Sequence, residues 1–121
     1  MSHTPAPVYL SIDRAMEYIG DSQGVLTLLQ TLQQTLSDDL PQLQALIDQG
    51  DVPGANRILH QLKGFTPVFC VDSLVELVVR VEGMSKHAEA AKLRAAYSQL
   101  APQLEALRQE VLAHLAQQNP G

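Results

Sequence analysis

The chain has no tryptophan, three tyrosines, two phenylalanines and a single cysteine. With one cysteine, Cys70, no intramolecular disulfide can form, and a reducing compartment, the cytoplasm, is expected. No apolar run reaches the roughly 18 residues that a membrane-spanning helix needs. The opening residues, Met1 to Pro7, lack the basic and apolar pattern of a secretory signal. Basic residues are also few, and the net charge of −5 argues against a general binder of nucleic acid or anionic membrane. There is no glycine-rich nucleotide loop and no room for an ATP-binding domain in 121 residues. Aromatics make up 4% of the chain and apolar residues 45%, so leucine, valine and alanine must build the core. That composition suits a helical bundle better than a β-sandwich, and the length suits one domain with a self-sufficient core.

Strand signals are weak and helical periodicity is strong. A first helix is expected from about Ser11, a good N-cap, to Ile19, where Gly20 stops it. A second starts near Asp21-Ser22. Its stripe of Val25, Leu28, Leu29, Leu32, Leu36, Leu40, Leu43 and Ile47 passes through Pro41 in phase, which predicts one long kinked helix. A third begins at Asp51 with Pro53 in its first turn. Pro67 predicts a bend or an end near Thr66. A fourth spans about Asp72 to Lys86, with Leu74, Leu77, Val78 and Val81 facing in. A fifth runs from Ala88 to roughly Gln117 across Pro102, carrying Leu93, Tyr97, Leu100, Leu104, Leu107, Val111 and Leu115. Short loops between long amphipathic helices predict an all-α, antiparallel four-helix bundle with a short additional N-terminal helix. Residues 8–117 form the bundle in this reading, 1–7 a disordered lead-in and 118–121 a frayed end. The stripes can all close internally, so a monomer is expected, and the Met1 start fits a free protein rather than a module of a larger one.

The third helix carries His60-Gln61-Leu62-Lys63-Gly64. Positions three and four apart are neighbours on a helix, so an ammonium lies beside the imidazole and Gly64 removes side-chain bulk next to it. Ala55, Ile58, Leu59, Leu62 and Phe65 mark the inner face. At about 100° per residue, Leu62 lies roughly 200° from His60, which places His60 in solvent. Asn56, Arg57 and Pro67 share its face, and Arg57 and Lys63 make that face positive on an acidic chain. Gly64 costs about 1 kcal/mol relative to alanine inside a helix. Access to His60 is the simplest benefit that would offset it. The arrangement suits an imidazole that takes up a large, doubly charged group such as phosphoryl.

These residues resemble the histidine-containing phosphotransfer (HPt) domain of two-component phosphorelays, whose motif reads His-x-x-Lys-Gly on a helix. Asp38-Asp39-Leu40-Pro41-Gln42-Leu43 is similar to the Asp-Leu-Pro segment of that family's long second helix. Gln49-Gly50-Asp51 resembles the turn before its histidine helix. Leu74, Leu77, Val81 and Glu82 resemble its next helix. The likeness runs from about Leu10 to Leu115. Phe65 stands where the family has a small residue, and Cys70 where it has glycine, so the turn after the histidine helix is expected to differ.

The resemblance implies a phosphocarrier and not a kinase, shuttling a phosphoryl group on His60 between receiver-domain aspartates. Nε2 would be the modified atom, Lys63 would neutralise the phosphoryl oxygens and Gly64 would give access. Arg57, Asn56, Pro67, Glu82 and Lys86 would contact the partner, a response-regulator receiver or a hybrid sensor kinase. No cofactor of its own is implied; the Mg²⁺ of the exchange would sit on the receiver. The competing reading is a helical adaptor that binds a receiver or kinase without being phosphorylated, but an adaptor has no need of both Lys63 and Gly64. A solitary surface histidine is ordinarily just solvated, and His3, His87 and His114 read that way. They share no ligand spacing with His60, so a zinc site is not expected. Cys70 reads as a packed turn residue, Asp38-Asp39 as a solvated face and Phe65 as core, with Val68 or Phe69 exposed near the turn.

Overall fold

The computed structural model describes residues 7–118. Residues 1–6 and 119–121 lie outside the described residues, and with them most of the expected lead-in and frayed end, and His3. Five helices follow one another: α1 (Ile12–Ile19), α2 (Ser22–Gln49), α3 (Val52–Phe69), α4 (Asp72–Met84) and α5 (Ala90–Gln118). No strand occurs among the described residues, and the one β-bridge pairs Leu10 with Cys70.

The helix ends lie where local chemistry puts them. The Ser11 side chain accepts from the Arg14 amide at 3.2 Å, Asp21 Oδ1 from Gly24 at 2.6 Å, and Asp51 Oδ1 from Gly54 at 3.0 Å. Gly20 and Gly50 close α1 and α2 at φ of 93° and 74°, a region that favours glycine. Arg94 adds a second seal on α2 by donating to the Ile47 and Asp48 carbonyls.

In the bundle α2 packs on α3 and α5, α3 on α4, and α4 on α5, while α1 lies over α2 and α3. The interior is filled mainly by leucine and valine, including Leu29, Leu36, Leu43, Leu59, Leu62, Leu74, Val78, Leu100 and Leu104. Each such side chain contributes about 1.5–3 kcal/mol on burial.

Several expectations need correction. Leu28 is 43% exposed although it lies in the apolar stripe. Val25 and Leu29 in the same turns are buried, so its phase exposes it: one residue before Leu29, it lies about 100° round the helix from it, at the edge of the buried row. Leu77 and Leu115 are only partly buried. Phe69 is buried rather than exposed, and Val68 half-buried. The helix does not stop at Thr66 but runs through Pro67 to Phe69. Proline there deprives the Lys63 carbonyl of its usual donor. The final carbonyls are nonetheless taken: Thr66 by the Cys70 amide at 2.8 Å, Phe69 by Ser11 at 2.7 Å, and Cys70 by Arg14 Nη1 at 2.7 Å. Those bonds support one more turn past the proline. Cys70 has an ordinary extended backbone at φ −121°, so the turn needs no glycine. Its thiol is fully buried, and burial, with Glu110 nearby, pushes it up to about 12. The α4 helix ends at Met84, two residues before Lys86, and α5 starts at Ala90 rather than Ala88.

A strap runs before α1. The amides of Val8, Tyr9 and Leu10 all donate to the Glu110 carboxylate of α5 at 2.9 Å. The Tyr9 carbonyl accepts from Val71 at 2.9 Å, and Arg14 pairs with Asp72 at 2.8 Å. The strap therefore ties α5 to the α3–α4 turn.

Candidate functional site

His60 lies at mid-α3 with its side chain 68% exposed. A Cβ added at Gly64 would meet nothing within 4 Å, so the glycine leaves open space one turn along. Packing does not demand glycine there. Lys63 and Lys86 flank the ring, partly exposed. Arg57 is exposed on the same face and forms no ion pair among the described residues.

These groups converge on Glu82, which is 1% exposed. Its Oε1 lies 3.3 Å from Lys63 Nζ, and its Oε2 lies 3.3 Å from Lys86 Nζ and 3.6 Å from His60 Nδ1. Asn56 Nδ2 donates to Glu82 Oε2 at 3.3 Å and to Ser85 Oγ at 2.7 Å, and Ser85 Oγ donates to the Glu82 carbonyl at 2.6 Å. Burial pushes the Glu82 carboxyl up, but hydrogen bonds and charge from Lys63 and Lys86 outweigh it, so the group sits below the ordinary carboxylate value. A carboxylate on the Nδ1 side favours the tautomer with the proton on Nδ1. The lone pair is then on Nε2, the outward atom. The 3.6 Å separation is electrostatic contact rather than a hydrogen bond.

Equal arms bring Glu82 to His60. Ten residues separate His60 from Cys70, and ten separate Asp72 from Glu82, each about 15 Å of helix. Two antiparallel helices leaving one turn thus meet at these residues.

His60, Lys63, Gly64, Arg57, Lys86 and Pro67 share one surface, with Pro67 half-buried. Glu82 is too buried to be the partner contact expected of it, and Asn56 is half-buried. Asn56 is turned toward Ser85 and Glu82, and Glu82 has no surface to offer. Sequence reasoning missed Ser85, which is 4% exposed. A signal was present: Val78, Val81, Glu82 and Ser85 occupy i, i+3, i+4 and i+7, so a carboxylate and a hydroxyl stand in an inward-facing stripe.

Bundle and site together give an all-α module that presents a solvent-facing histidine backed by cations and a buried carboxylate. The Hpt domain family matches residues 27–117, three quarters of the chain, and the protein belongs to that family. No curated protein and no solved structure matches it. Hpt domains take part in phosphorelay signalling, as phosphocarriers rather than catalytic domains, and interact with receiver domains and kinases. Among the described residues no helix is long and apolar enough to cross a membrane.

Proposed function

We propose that this protein carries a phosphoryl group on Nε2 of His60 between the aspartates of receiver domains. The observation that carries the reading is the ring's setting: open to solvent, Nδ1 turned to a buried carboxylate, and two ammonium groups alongside. The Nε2 lone pair attacks the phosphorus of an aspartyl phosphate, the P–O bond breaks, and the carboxylate leaves with the electron pair. Phosphoryl transfer asks mainly for positioning and charge. Lys63 and Lys86 supply charge to the equatorial oxygens, Arg57 adds to the positive rim, and Gly64 admits the partner. Glu82 and Asn56 act from behind, holding the ring and lysines.

The Mg²⁺ of the reaction belongs to the receiver. Glu82, the carboxylate beside His60, is already held by two ammonium groups. The partner is a response regulator or a hybrid sensor kinase, and the protein works as a cytoplasmic monomer.

The test is phosphoryl transfer from a phosphorylated receiver to the purified protein, with His60→Gln alongside. Acid-labile, base-stable phosphate on the wild type and none on the variant is the expected result. Unlabelled protein that still binds the donors would favour the adaptor reading instead.

A further inference from the structure

The Glu82 cluster holds more than uptake of a phosphoryl group requires. Two lysines near an exposed imidazole would suffice to attract an anion, yet both are tied to a carboxylate that the fold has buried. A buried negative charge beside a phosphoryl site opposes anion binding. Its position against Nδ1 and its distance from the outward face suggest that its target is the ring.

Resting on the phosphocarrier reading, we infer that Glu82 is a positioning residue for donation: it holds the proton on Nδ1 of phosphorylated His60, so that the ring leaves phosphorus as neutral imidazole. When Nε2 takes the phosphoryl, a ring with hydrogen on Nδ1 becomes a cation. If that proton is lost, breaking P–Nε2 must expel an imidazolate anion, a poor leaving group. If it is kept, the P–Nε2 electron pair returns to Nε2 and neutral imidazole departs, while the acceptor, an aspartate oxygen or water, forms the new bond to phosphorus. The product is the same Nδ1–H tautomer that accepted the group, so no proton crosses the ring between the two half-steps.

The lysines couple to this. Their side chains are 37% and 47% exposed and free to turn outward. A dianionic phosphoryl on Nε2 competes with Glu82 for them. Glu82, less compensated, then attracts the Nδ1 proton more strongly. The charged groups on this face are Arg57 and Lys63 from α3 and Glu82 and Lys86 from the α4 side; α1, α2 and α5 contribute no ion pair to it among the described residues. Among the described residues, Glu82 is therefore the anion positioned to hold that proton.

The experiment uses the full chain phosphorylated with phosphoramidate, a small donor that needs no receiver. His60→Gln is run in parallel to subtract label on other histidines. Loss of phosphohistidine to water is followed between about pH 6 and pH 9 for wild type and Glu82→Gln. The expected result is a phosphoryl group about tenfold longer-lived in Glu82→Gln above neutral pH, with the pH profile displaced about one unit to lower pH. Identical profiles overturn the inference. So does a longer lifetime with an unshifted profile, because that is simple repulsion of the phosphoryl by Glu82. Should Glu82→Gln fail to fold, phosphorylated wild type in urea serves as the reference, and equal lability of folded and unfolded protein overturns the inference. Absence of any His60-dependent phosphate overturns the phosphocarrier reading itself, and the inference with it.

Discussion

Two carboxylates on this bundle, Glu82 and Glu110, each collect three hydrogen-bonding partners, and the partners differ in kind. Glu82 is held by Lys63, Lys86 and Asn56, side chains on flexible stems. Glu110 is held by the backbone amides of Val8, Tyr9 and Leu10. Lysine ammonium groups can turn to water or to an incoming anion. Amides fixed in a strap cannot, and Leu10 is buried. One carboxylate sits in an arrangement that can be exchanged, the other in one that holds the chain in place. A carboxylate's role follows from how freely its donors can leave.

The largest effect expected from breaking this contrast is on stability at Glu110. Glu110→Ala leaves the part-buried Tyr9 and Leu10 amides without their acceptor and removes charge-assisted hydrogen bonds, for a loss of about 3 kcal/mol in urea unfolding. Phosphoryl uptake by the protein that remains folded should be little changed.

Next comes Glu82→Met. The freed lysines are half in water, so the loss should stay near 1 kcal/mol, below the figure for a fully buried broken pair. Donation to a receiver, measured in a single turnover, should nevertheless fall about tenfold. Equal losses of stability in the two variants would dissolve the distinction.

A smaller effect is expected from acid. The Glu82 carboxyl is depressed in the folded protein relative to its ordinary value of 4.5. Its contribution is therefore complete above that value and is lost as pH falls through the lower folded one. Urea midpoints between about pH 6 and pH 3 should decline in that window, and by less in Glu82→Met.

Gly64→Ala should move least and in the opposite sense. With open space at the Cβ, helix propensity should raise stability by up to about 1 kcal/mol. The methyl group stands beside the reacting nitrogen, so transfer from a receiver should slow. A variant both more stable and as fast would show that Gly64 is not there for access.

Most of the fold was legible because leucine spacing and cap residues are local signals. Ser11, Gly20, Asp21, Gly50 and Asp51 mark helix ends through chemistry within four residues of themselves. His60, Lys63 and Gly64 were legible for the same reason. What was not legible depends on distant residues. Pro67 reads as a terminator until the Ser11 amide and Arg14 guanidinium are seen to satisfy the carbonyls beyond it. Leu28 reads as core until packing centres the buried row on Val25, Leu29 and Leu32 and leaves it at the edge. The Glu110 strap joins residues a hundred positions apart and leaves no periodic trace. Glu82 lay between these cases: its stripe position was countable, but its partners on α3 were not.

The matched arms on either side of the Cys70-Val71 turn make the site one that is addressed by counting. Removing a single residue between the turn and Glu82 would rotate that carboxylate about 100° and draw it about 1.5 Å along its axis, away from the imidazole. No change of side-chain chemistry would be needed to disable it. In the lineage of this chain, insertions and deletions should therefore gather outside that limb, in the turn between α4 and α5 or at the ends of the long helices. The stretch from His60 to Glu82 should keep a fixed length even where its residues vary.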